Sequence, residues 1–442
     1  MSSTQREYDV VVLGATGFTG SLVAEYLARH PTHPRWGIAG RSAARLDALR
    51  KKLDLPTSVG ILSADTTNIA SLQEVAKKTK VLANIAGPFR KTNGYEVAKA
   101  CASVGTHYTD LSGESGFNAS LLELGPLAAS TGSILVPSSG FDSLPLDLSA
   151  YFAAQHLKKS QGVSHVDTVR TAVRVDGGFS TGTILSAVDA AEIDGGQLQF
   201  EQPDQLSPVK GTHIMPLDLA LRLPQFGPNV YGSWFPLTPH NHRVINQTWG
   251  LLQVHSQAEA YGQDFAYHEA SLLFPPKRVP WPLSYLLTSF LSLFFVAQIK
   301  ALIWLAPVRW ALRTFLPQNG GPSKKGFADV RALATGKDKQ GNVKQSICKI
   351  FIQDSPGYHA TARMISETAL HLASTSSATT KESSIGGLRA NNFKGGILTT
   401  ATIGAETLRD RLTQYAAMTF DVATFEQRKA DAVAVKSRGK DL

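Results

Sequence analysis

Cysteine is scarce in this chain of 442 residues, which contains only Cys101 and Cys348. Neither belongs to a Cys-x-x-Cys pair or lies beside a histidine cluster, so the sequence excludes a disulfide framework and a structural zinc site. Such a chain suits a reducing compartment. Charged residues are also few, at 18%, whereas hydrophobic residues make up 43%. This balance excludes a disordered chain and a charged coiled coil.

The chain also lacks an apolar signal region at its start. Residues 1–9 are polar and include Arg6, Glu7 and Asp9, so we expect a protein that is not secreted and lies on the cytoplasmic side. Acidic residues are fewer than basic ones, 35 against 44, which leaves a net charge of +9. The basic residues are scattered, so nucleic acid is not an expected partner. The excess suits an anionic cofactor or an acidic protein partner.

Short apolar runs alternate with helical stretches over the first third of the chain. The run Tyr8–Leu13 is followed by a glycine-rich turn and a helix, and further strands are predicted over 35–39, 60–63, 80–85, 106–108 and 133–136. Alternation of this length gives parallel strands joined by right-handed crossovers. The sequence therefore predicts an α/β fold with an N-terminal doubly wound (Rossmann) parallel sheet.

The pattern changes after residue 150. Strands are predicted over 163–175 and 343–352, with glycine- and proline-rich stretches after the first of them. We predict three parts: a nucleotide-binding domain over 1–150, a mixed α+β substrate or acyl domain over 151–390, and a C-terminal helical return over 391–442.

The glycine-rich turn is the strongest chemical signal. It follows a strand and opens a helix, which is the context in which a dinucleotide pyrophosphate lies against backbone N–H groups. The spacing is GxxGxxG: one glycine permits the turn, one lets the phosphates approach and one lets helix and strand pack. The predicted cofactor-binding residues of this turn are Gly14, Ala15, Thr16, Gly17, Phe18, Thr19 and Gly20.

The end of the second strand indicates which cofactor binds. An NAD site has an acidic residue there, but this chain has Arg41 and Ser42, followed by Arg45, with no acidic residue before Asp47. A guanidinium can hold a 2′-phosphate, so we predict NADPH. Strand ends further along should also contribute, with Asp65 at the adenine edge and Ala86, Gly87 and Pro88 at the nicotinamide ribose.

Polar segments follow the fifth and sixth strands and present Tyr108 and Asp142. Both lie where a doubly wound fold places its active site. For Asp142 and Ser143 an ordinary helix N-cap is an equally good interpretation. His240 and His242 lie beside Pro239 without a carboxylate cluster, so we interpret them as loop residues and predict no metal.

A series of motifs resembles the saccharopine dehydrogenase-like oxidoreductases, and within them the trans-acting enoyl reductases of mycobacterial lipid and polyketide pathways. The resemblance implies a Rossmann domain, a mixed α+β second domain and hydride transfer from a nicotinamide cofactor. The motifs that support it span 14–20, 39–42, 86–89, 108–114, 140–145, 354–362 and 395–401.

These features together lead us to expect an NADPH-dependent enoyl reductase acting on an acyl or polyketide thioester, which an acidic carrier protein can present. Tyr108 is the first candidate for the proton donor, because its hydroxyl follows a strand end near the expected nicotinamide. Asp142 with a raised pKa, or water, is the alternative. A saccharopine-type C=N reductase, or a lipid-surface protein with a non-catalytic nucleotide domain, are the other functions that the sequence allows.

One apolar segment, 281–308, departs from the rest of the chain. Its core, residues 282–299, carries no charge and approaches the length of about 20 residues that spans a bilayer. The segment can lie on a lipid surface such as a membrane or lipid droplet, be buried in a core or subunit contact, or span a membrane.

Overall fold

The computed structural model describes residues 6–177, 188–189, 192, 202–211, 217–272, 280–315, 324–375 and 395–428. Strands and helices alternate from the start of this range, as predicted. They are β1 (Tyr8–Leu13), α1 (Phe18–Ala28), β2 (Trp36–Gly40), α2 (Ala43–Lys52), β3 (Gly60–Ser63), α3 (Ile69–Lys78), β4 (Thr79–Asn84), α4 (Gly94–Ser103), β5 (His107–Asp110), α5 (Ser115–Leu121), α6 (Gly125–Thr131), β6 (Ile134–Val136) and α7 (Leu144–Gln161).

The first sheet has seven parallel strands, of which the seventh, β13 (Gly396–Ile397), comes from far along the chain. The strand order is β13-β6-β5-β4-β1-β2-β3. The central strand β1 pairs with β2 on one side and β4 on the other, and its residues from Val10 to Leu13 are buried. Helices on both faces explain why this run is apolar without alternation. The predicted doubly wound sheet is confirmed.

The second sheet is mixed, which confirms the predicted α+β character. It contains β7 (Val166–Asp176), β10 (Ala266–Ser271), β11 (Phe327–Lys337), β12 (Val343–Gln353) and β14 (Met418–Thr424) in the order β10-β7-β11-β12-β14. Only the pair of β10 and β7 is parallel. Helix α7 packs against this sheet, and α8 (Thr238–His255) packs against α7. A short ribbon of β8 (Leu221–Arg222) and β9 (Tyr231–Gly232) lies beside it.

Two long helices in the second half of the chain have opposite environments. Helix α9 (Trp281–Trp304) and helix α10 (Ala306–Phe315) cover most of segment 281–308 and are largely exposed. In the described part of the chain, α9 is the one helix whose length and composition would suit a membrane crossing. Helix α11 (Thr361–Thr375), by contrast, is almost wholly buried against the first sheet.

The C-terminal part of the chain completes the nucleotide-binding sheet. Helix α11 packs on α1, β4 and β5, and β13 pairs with β6 through Gly396 and Ile134. Helix α12 (Ala405–Tyr415) and β14 follow. The segment predicted as a helical return therefore contributes a strand to each sheet as well as a helix, because both sheets have an edge that it can extend. The domain bounds at 150 and 390 stay a prediction.

Candidate functional site

The glycine turn has a geometry that only small residues can adopt. Gly14 has a φ of +87°, and a Cβ there would lie 2.8 Å from the backbone nitrogen of Ala86. A Cβ on Gly20 would lie 2.2 Å from the carbonyl oxygen of Gly14. These two glycines are therefore required by the turn and by the packing of α1 against it.

Gly17 differs, because the protein itself leaves room for a side chain there. A Cβ would meet only the Gly14 carbonyl oxygen, at 3.4 Å, and Gly17 lines an open cleft. It is also the N-cap of α1, and no side chain caps this helix. The first N–H groups of α1 thus need an external acceptor, which a phosphate group would supply.

The cleft beside this turn has a volume of about 840 Å³. It runs along the carboxyl ends of the four strands β3, β2, β1 and β4, where a doubly wound fold binds its nucleotide. Its lining residues are Leu13, Gly14, Thr16, Gly17, Ala39, Gly40, Arg41, Ser42, Arg45, Leu46, Ala64, Thr66, Thr67, Ile85, Ala86, Gly87, Lys91, Thr92 and Asn93.

The two arginines predicted for the 2′-phosphate both line this cleft. Arg41 and Arg45 are exposed, and among the described residues neither forms a salt bridge. Ser42 is the N-cap of α2, and its Oγ accepts a hydrogen bond from the Arg45 backbone N–H at 3.3 Å. The Ser42 hydroxyl proton stays available to donate. The group is well suited to a phosphate dianion.

Asp65 does not line the cleft, contrary to the expectation that it meets the adenine edge. Its carboxylate accepts hydrogen bonds from the Thr67 backbone N–H, at 3.0 Å, and from the Thr67 hydroxyl, at 2.8 Å. These bonds lower the pKa of Asp65. The adenine end of the cleft is instead lined by its neighbours Ala64, Thr66 and Thr67.

Five further predicted residues also lie outside the cleft. Ala15 and Gly20 are buried in the packing behind the turn, and Pro88 follows Gly87 at the edge of the cleft without lining it. The Phe18 ring packs edge-on against Tyr358, with 5.6 Å between ring centroids. Thr19, also outside the cleft, lines a second and smaller cavity.

This second cavity, of about 130 Å³, lies at the ends of β5 and β6, next to the strand end that closes the cofactor cleft. One wall is the loop that contains Asp142. The opposite wall is the π-helix Pro356–Ala360 and the start of α11, and π-helical turns are frequent at functional sites. The lining residues are Thr19, Leu111, Ser112, Ser138, Gly140, Phe141, Asp142, Gly357, Tyr358 and Thr361.

Asp142 is an acidic group of this cavity. Burial raises the pKa of its carboxyl to about 6. The alternative capping interpretation is not realised: Ser143 is the N-cap residue of α7, but no side chain caps that helix, and the Ser143 hydroxyl instead donates to Asn241 Oδ1 at 3.0 Å. The Asp142 carboxyl therefore lies in the cavity wall, and its pKa is close to neutral pH.

Tyr108 does not lie where the sequence led us to expect. Its side chain is fully buried in the core between the first sheet and α4 and α5, and it lines neither cavity. Its hydroxyl donates to Asp110 Oδ2 at 2.8 Å and accepts from Asn84 Nδ2 at 3.2 Å. Burial and the Asp110 carboxylate raise the pKa of Tyr108 well above its ordinary value. In this position it supports the sheet and does not face a substrate.

Comparison with known proteins agrees with this geometry. Residues 10–136 match the family described as the saccharopine dehydrogenase NADP-binding domain. A Mycobacterium tuberculosis protein provisionally named a trans-acting enoyl reductase is 32% identical over 84% of this chain and 90% of its own length. A trans-acting enoyl reductase of Mycobacterium ulcerans is 31% identical over 62% of this chain and 67% of its own length.

The chain belongs to the saccharopine dehydrogenase-like family and is similar to its trans-acting enoyl reductases. The structure of saccharopine dehydrogenase from Saccharomyces cerevisiae has the same fold, with a TM-score of 0.50, 11% identity and coverage of 94% of this chain and 99% of that one. This member of the saccharopine dehydrogenase-like family is an NADP-dependent oxidoreductase.

The residues present in this oxidoreductase fit NADPH. The uncapped N-terminus of α1 and the bare Cα of Gly17 would take the pyrophosphate, and Arg41, Ser42 and Arg45 would take the 2′-phosphate. Ala86 and Gly87 line the opposite end of the cleft, where the nicotinamide ribose is expected.

His240 is a site residue that the sequence interpretation missed. It lies in α8, not in a loop, and is buried; its Nδ1 is 3.0 Å from Ser115 Oγ and its Nε2 is 3.1 Å from Ser138 Oγ. Burial lowers the pKa of His240 to about 3, so the imidazole is neutral and holds Ser138 in the cavity wall. His242 is likewise buried within α8. No group of three metal-binding side chains is found among the described residues.

Tyr358 and Thr361 were also missed as site residues. Both line the smaller cavity, and Thr361 Oγ1 accepts from the Phe141 backbone N–H at 3.0 Å, which joins the two walls. The sequence contained a signal for them, since both fall in the 354–362 motif of the family. A motif more than 200 residues from the strand ends gave no indication of which loop it would meet.

Proposed function

We propose that this oxidoreductase is an NADPH-dependent enoyl reductase whose substrate is an α,β-unsaturated acyl or polyketide thioester. The observation that carries the proposal is the chemistry of the smaller cavity. It adjoins the cofactor cleft and contains the acid Asp142, and its described lining includes neither arginine nor lysine. The relatives are named enoyl reductases, and reduction of an uncharged enoyl group agrees with a cavity of this kind.

Enoyl reduction needs a hydride at the β-carbon and a proton at the α-carbon. Bound NADPH supplies the hydride and is oxidised to NADP⁺. The chain has to supply or relay the proton, and Asp142 is suited to this because its pKa of about 6 leaves part of the carboxyl protonated near neutral pH. Its carboxyl would donate to the α-carbon and be reprotonated from solvent.

The saccharopine-type alternative, reduction of a C=N bond in an amino-acid adduct, fits the cavity less well. Such a substrate carries carboxylates, which are held most specifically by arginine or lysine. The described cavity lining offers hydroxyl groups, apolar side chains and the carboxyl group of Asp142. In its ionised form, Asp142 would repel the carboxylates of an amino-acid adduct. An uncharged unsaturated thioester meets no such repulsion.

The carrier of the thioester is the second part of the proposal. The net charge of +9 favours an acidic carrier protein over a neutral one, because opposite charges speed association. A thioester presented on an acidic carrier should therefore be reduced with a higher kcat/KM than the same acyl group on a small thiol. Raising the salt concentration should reduce this advantage.

The test is NADPH oxidation by the purified protein with a panel of enoyl thioesters and one imine substrate. We expect turnover with the enoyl thioesters and about 10²-fold less with Asp142→Asn, at unchanged NADPH affinity. Turnover by wild type should also fall as the pH rises through about 6, because the protonated acid is the donor. Tyr108→Phe is the control and should retain turnover close to that of wild type.

Three results would contradict the proposal. Turnover with the imine alone would assign the protein to the C=N reductases. Normal turnover by Asp142→Asn would make solvent the proton source, and a large loss in the folded Tyr108→Phe variant would return the role to Tyr108.

A further inference from the structure

Helix α9 has its polar edge towards the protein and its apolar surface outwards. Ser284, Thr288 and Ser292 recur every four residues, and Thr288 and Ser292 are the buried residues of the helix. The Ser292 hydroxyl donates to the Leu219 carbonyl at 2.6 Å and accepts from the Trp234 backbone N–H at 2.9 Å. The helix is therefore held to the protein through hydroxyl groups, which is the reverse of an ordinary surface helix.

The outward surface of α9 and α10 consists of large apolar side chains. Phe290 is 70% exposed, Leu286 62%, Trp304 72% and Phe315 74%. Leu283, Leu293, Phe294, Leu305 and Trp310 are exposed beside them. Soluble proteins rarely leave so much apolar surface uncovered, so this face needs an occupant.

The charge around this face indicates what that occupant is. No acidic residue occurs between Glu269 and Asp329, whereas the same stretch contains the basic residues Lys277, Arg278, Lys300, Arg309, Arg313, Lys324 and Lys325. Within α9, Lys300 Nζ lies 5.6 Å from the Trp304 ring centroid, a pairing of cation and aromatic ring at the helix end. Tryptophans also stand at both ends of α9, as they do at membrane–water interfaces.

We propose that α9 and α10 form a docking surface for an anionic phospholipid membrane, lying in the plane of its interface. Apolar side chains would enter the acyl region while the basic residues meet lipid phosphates. A spanning helix does not fit, because α9 is bound to the protein at its middle, where Thr288 and Ser292 are buried and Ser292 forms hydrogen bonds. A second copy of the chain fits poorly as well, because α9 and α10 contain basic residues and no acidic ones, so two copies of these helices would repel each other.

Two salt bridges that share Asp189 connect the docking surface to the cofactor cleft. Arg313 Nη2, in α10, lies 2.7 Å from Asp189 Oδ1, and the same oxygen lies 2.6 Å from Lys91 Nζ. Lys91 lines the cleft. The membrane would therefore lie near the mouth of the cleft. On the basis of the proposed function, this placement favours an acyl substrate that enters from the bilayer.

The test is flotation of the full-length protein with vesicles, which requires neither substrate nor cofactor. We expect wild type to float with vesicles of phosphatidylcholine and phosphatidylserine, and much less with phosphatidylcholine alone. The variant Phe290→Glu/Leu293→Glu should lose on the order of tenfold in bound fraction. The matched control Val254→Glu/Val343→Glu adds the same charges at exposed apolar positions elsewhere and should float like wild type.

Three outcomes would overturn the proposal. Equal flotation with neutral and anionic vesicles would contradict the role of the basic residues. Retention of wild type in vesicles after alkaline carbonate would make α9 a spanning helix. A stable dimer without vesicle binding, separated by the Phe290→Glu/Leu293→Glu change, would make this face a contact between copies. An inactive enzyme that floats as expected would leave the docking surface standing and count only against the proposed function.

Discussion

At the scale of single residues, the cofactor cleft depends on which side chain follows the second strand. Arg41 and Arg45 stand there without a carboxylate partner among the described residues, and Ser42 has a hydroxyl proton to donate. A ribose 2′-hydroxyl can form few hydrogen bonds with these three side chains, whereas a 2′-phosphate can accept hydrogen bonds from all of them. We therefore expect selectivity for NADPH to reside in a handful of exposed atoms that contribute little to the fold.

The variant Arg41→Asp should weaken NADPH binding by roughly 10- to 100-fold, since one charge-assisted contact is lost and a repulsive carboxylate replaces it. NADH binding should stay the same or improve. Titration of both cofactors into wild type and variant measures this. Lys52→Asp, an equal charge change on the exposed face of α2 outside the cleft, is the control. A wild-type preference for NADH would refute the assignment.

At the scale of elements, helix α11 joins the two ends of the chain through one buried carboxylate. Glu367 Oε1 accepts from the Tyr26 hydroxyl at 2.7 Å and lies 2.9 Å from His30 Nε2, both on the α1 side. Its Oε2 lies 2.8 Å from an Arg411 nitrogen of α12. Three segments that are far apart in sequence thus meet at a side chain that is fully shielded from water.

Replacing this carboxylate by a leucine of similar size should destabilise the protein by about 3–5 kcal/mol, because Arg411 would remain in a half-buried position without its partner. The free energy of unfolding in urea measures the loss. The control is Glu25→Leu, which removes an exposed pair with Arg29 on α1 and should cost less than about 1 kcal/mol. Equal effects of the two changes would show that Glu367 has no special role.

At the scale of the whole molecule, buried carboxyl groups make the stability depend on pH. Glu269 accepts hydrogen bonds from Asn241 at 3.0 Å, from the Tyr267 hydroxyl at 2.9 Å and from the Thr238 hydroxyl at 3.4 Å. Burial nevertheless raises its pKa to about 7, and the nearby Asp142 carboxylate acts in the same direction. The folded state therefore holds a proton on Glu269 that the unfolded chain releases at lower pH.

The sign of the resulting pH dependence follows from this difference in bound protons. A raised folded pKa contributes stability below the unfolded value near 4.5, and this contribution is lost as the pH rises to about 7. Between about pH 5 and about pH 8, we expect the free energy of unfolding to fall further in wild type than in Glu269→Gln. The difference between the two proteins should be up to roughly 3 kcal/mol.

Urea unfolding at both pH values checks this prediction. Asp264→Asn changes an exposed acid and should leave the pH dependence as it is in wild type. If the Glu269→Gln and wild-type curves run parallel, Glu269 titrates in the folded protein as it does in the unfolded chain, and the prediction is wrong.

Local patterns in the sequence specify the parts of this protein that depend on neighbouring residues. The first six strands of the parallel sheet follow from a local alternation, and the glycine turn, Arg41 and Ser42 all lie within one strand-helix-strand unit. Each of these positions is set by the end of an adjacent strand. Backbone geometry over short distances is sufficient to place them, which is why this end of the cleft was predictable.

Tertiary packing sets the features that depend on contacts between distant segments. Packing directs the Tyr108 side chain into the core and places Tyr358 opposite Asp142. It also brings His240 to Ser138, which is 102 residues away in sequence. It also sets the orientation of α9, whose polar edge faces the protein. The sequence alone had allowed segment 281–308 to lie on a lipid surface, to be buried or to span a membrane. Periodicity defines which faces a helix or strand has, but the direction each face takes is set by the partner that packs against it.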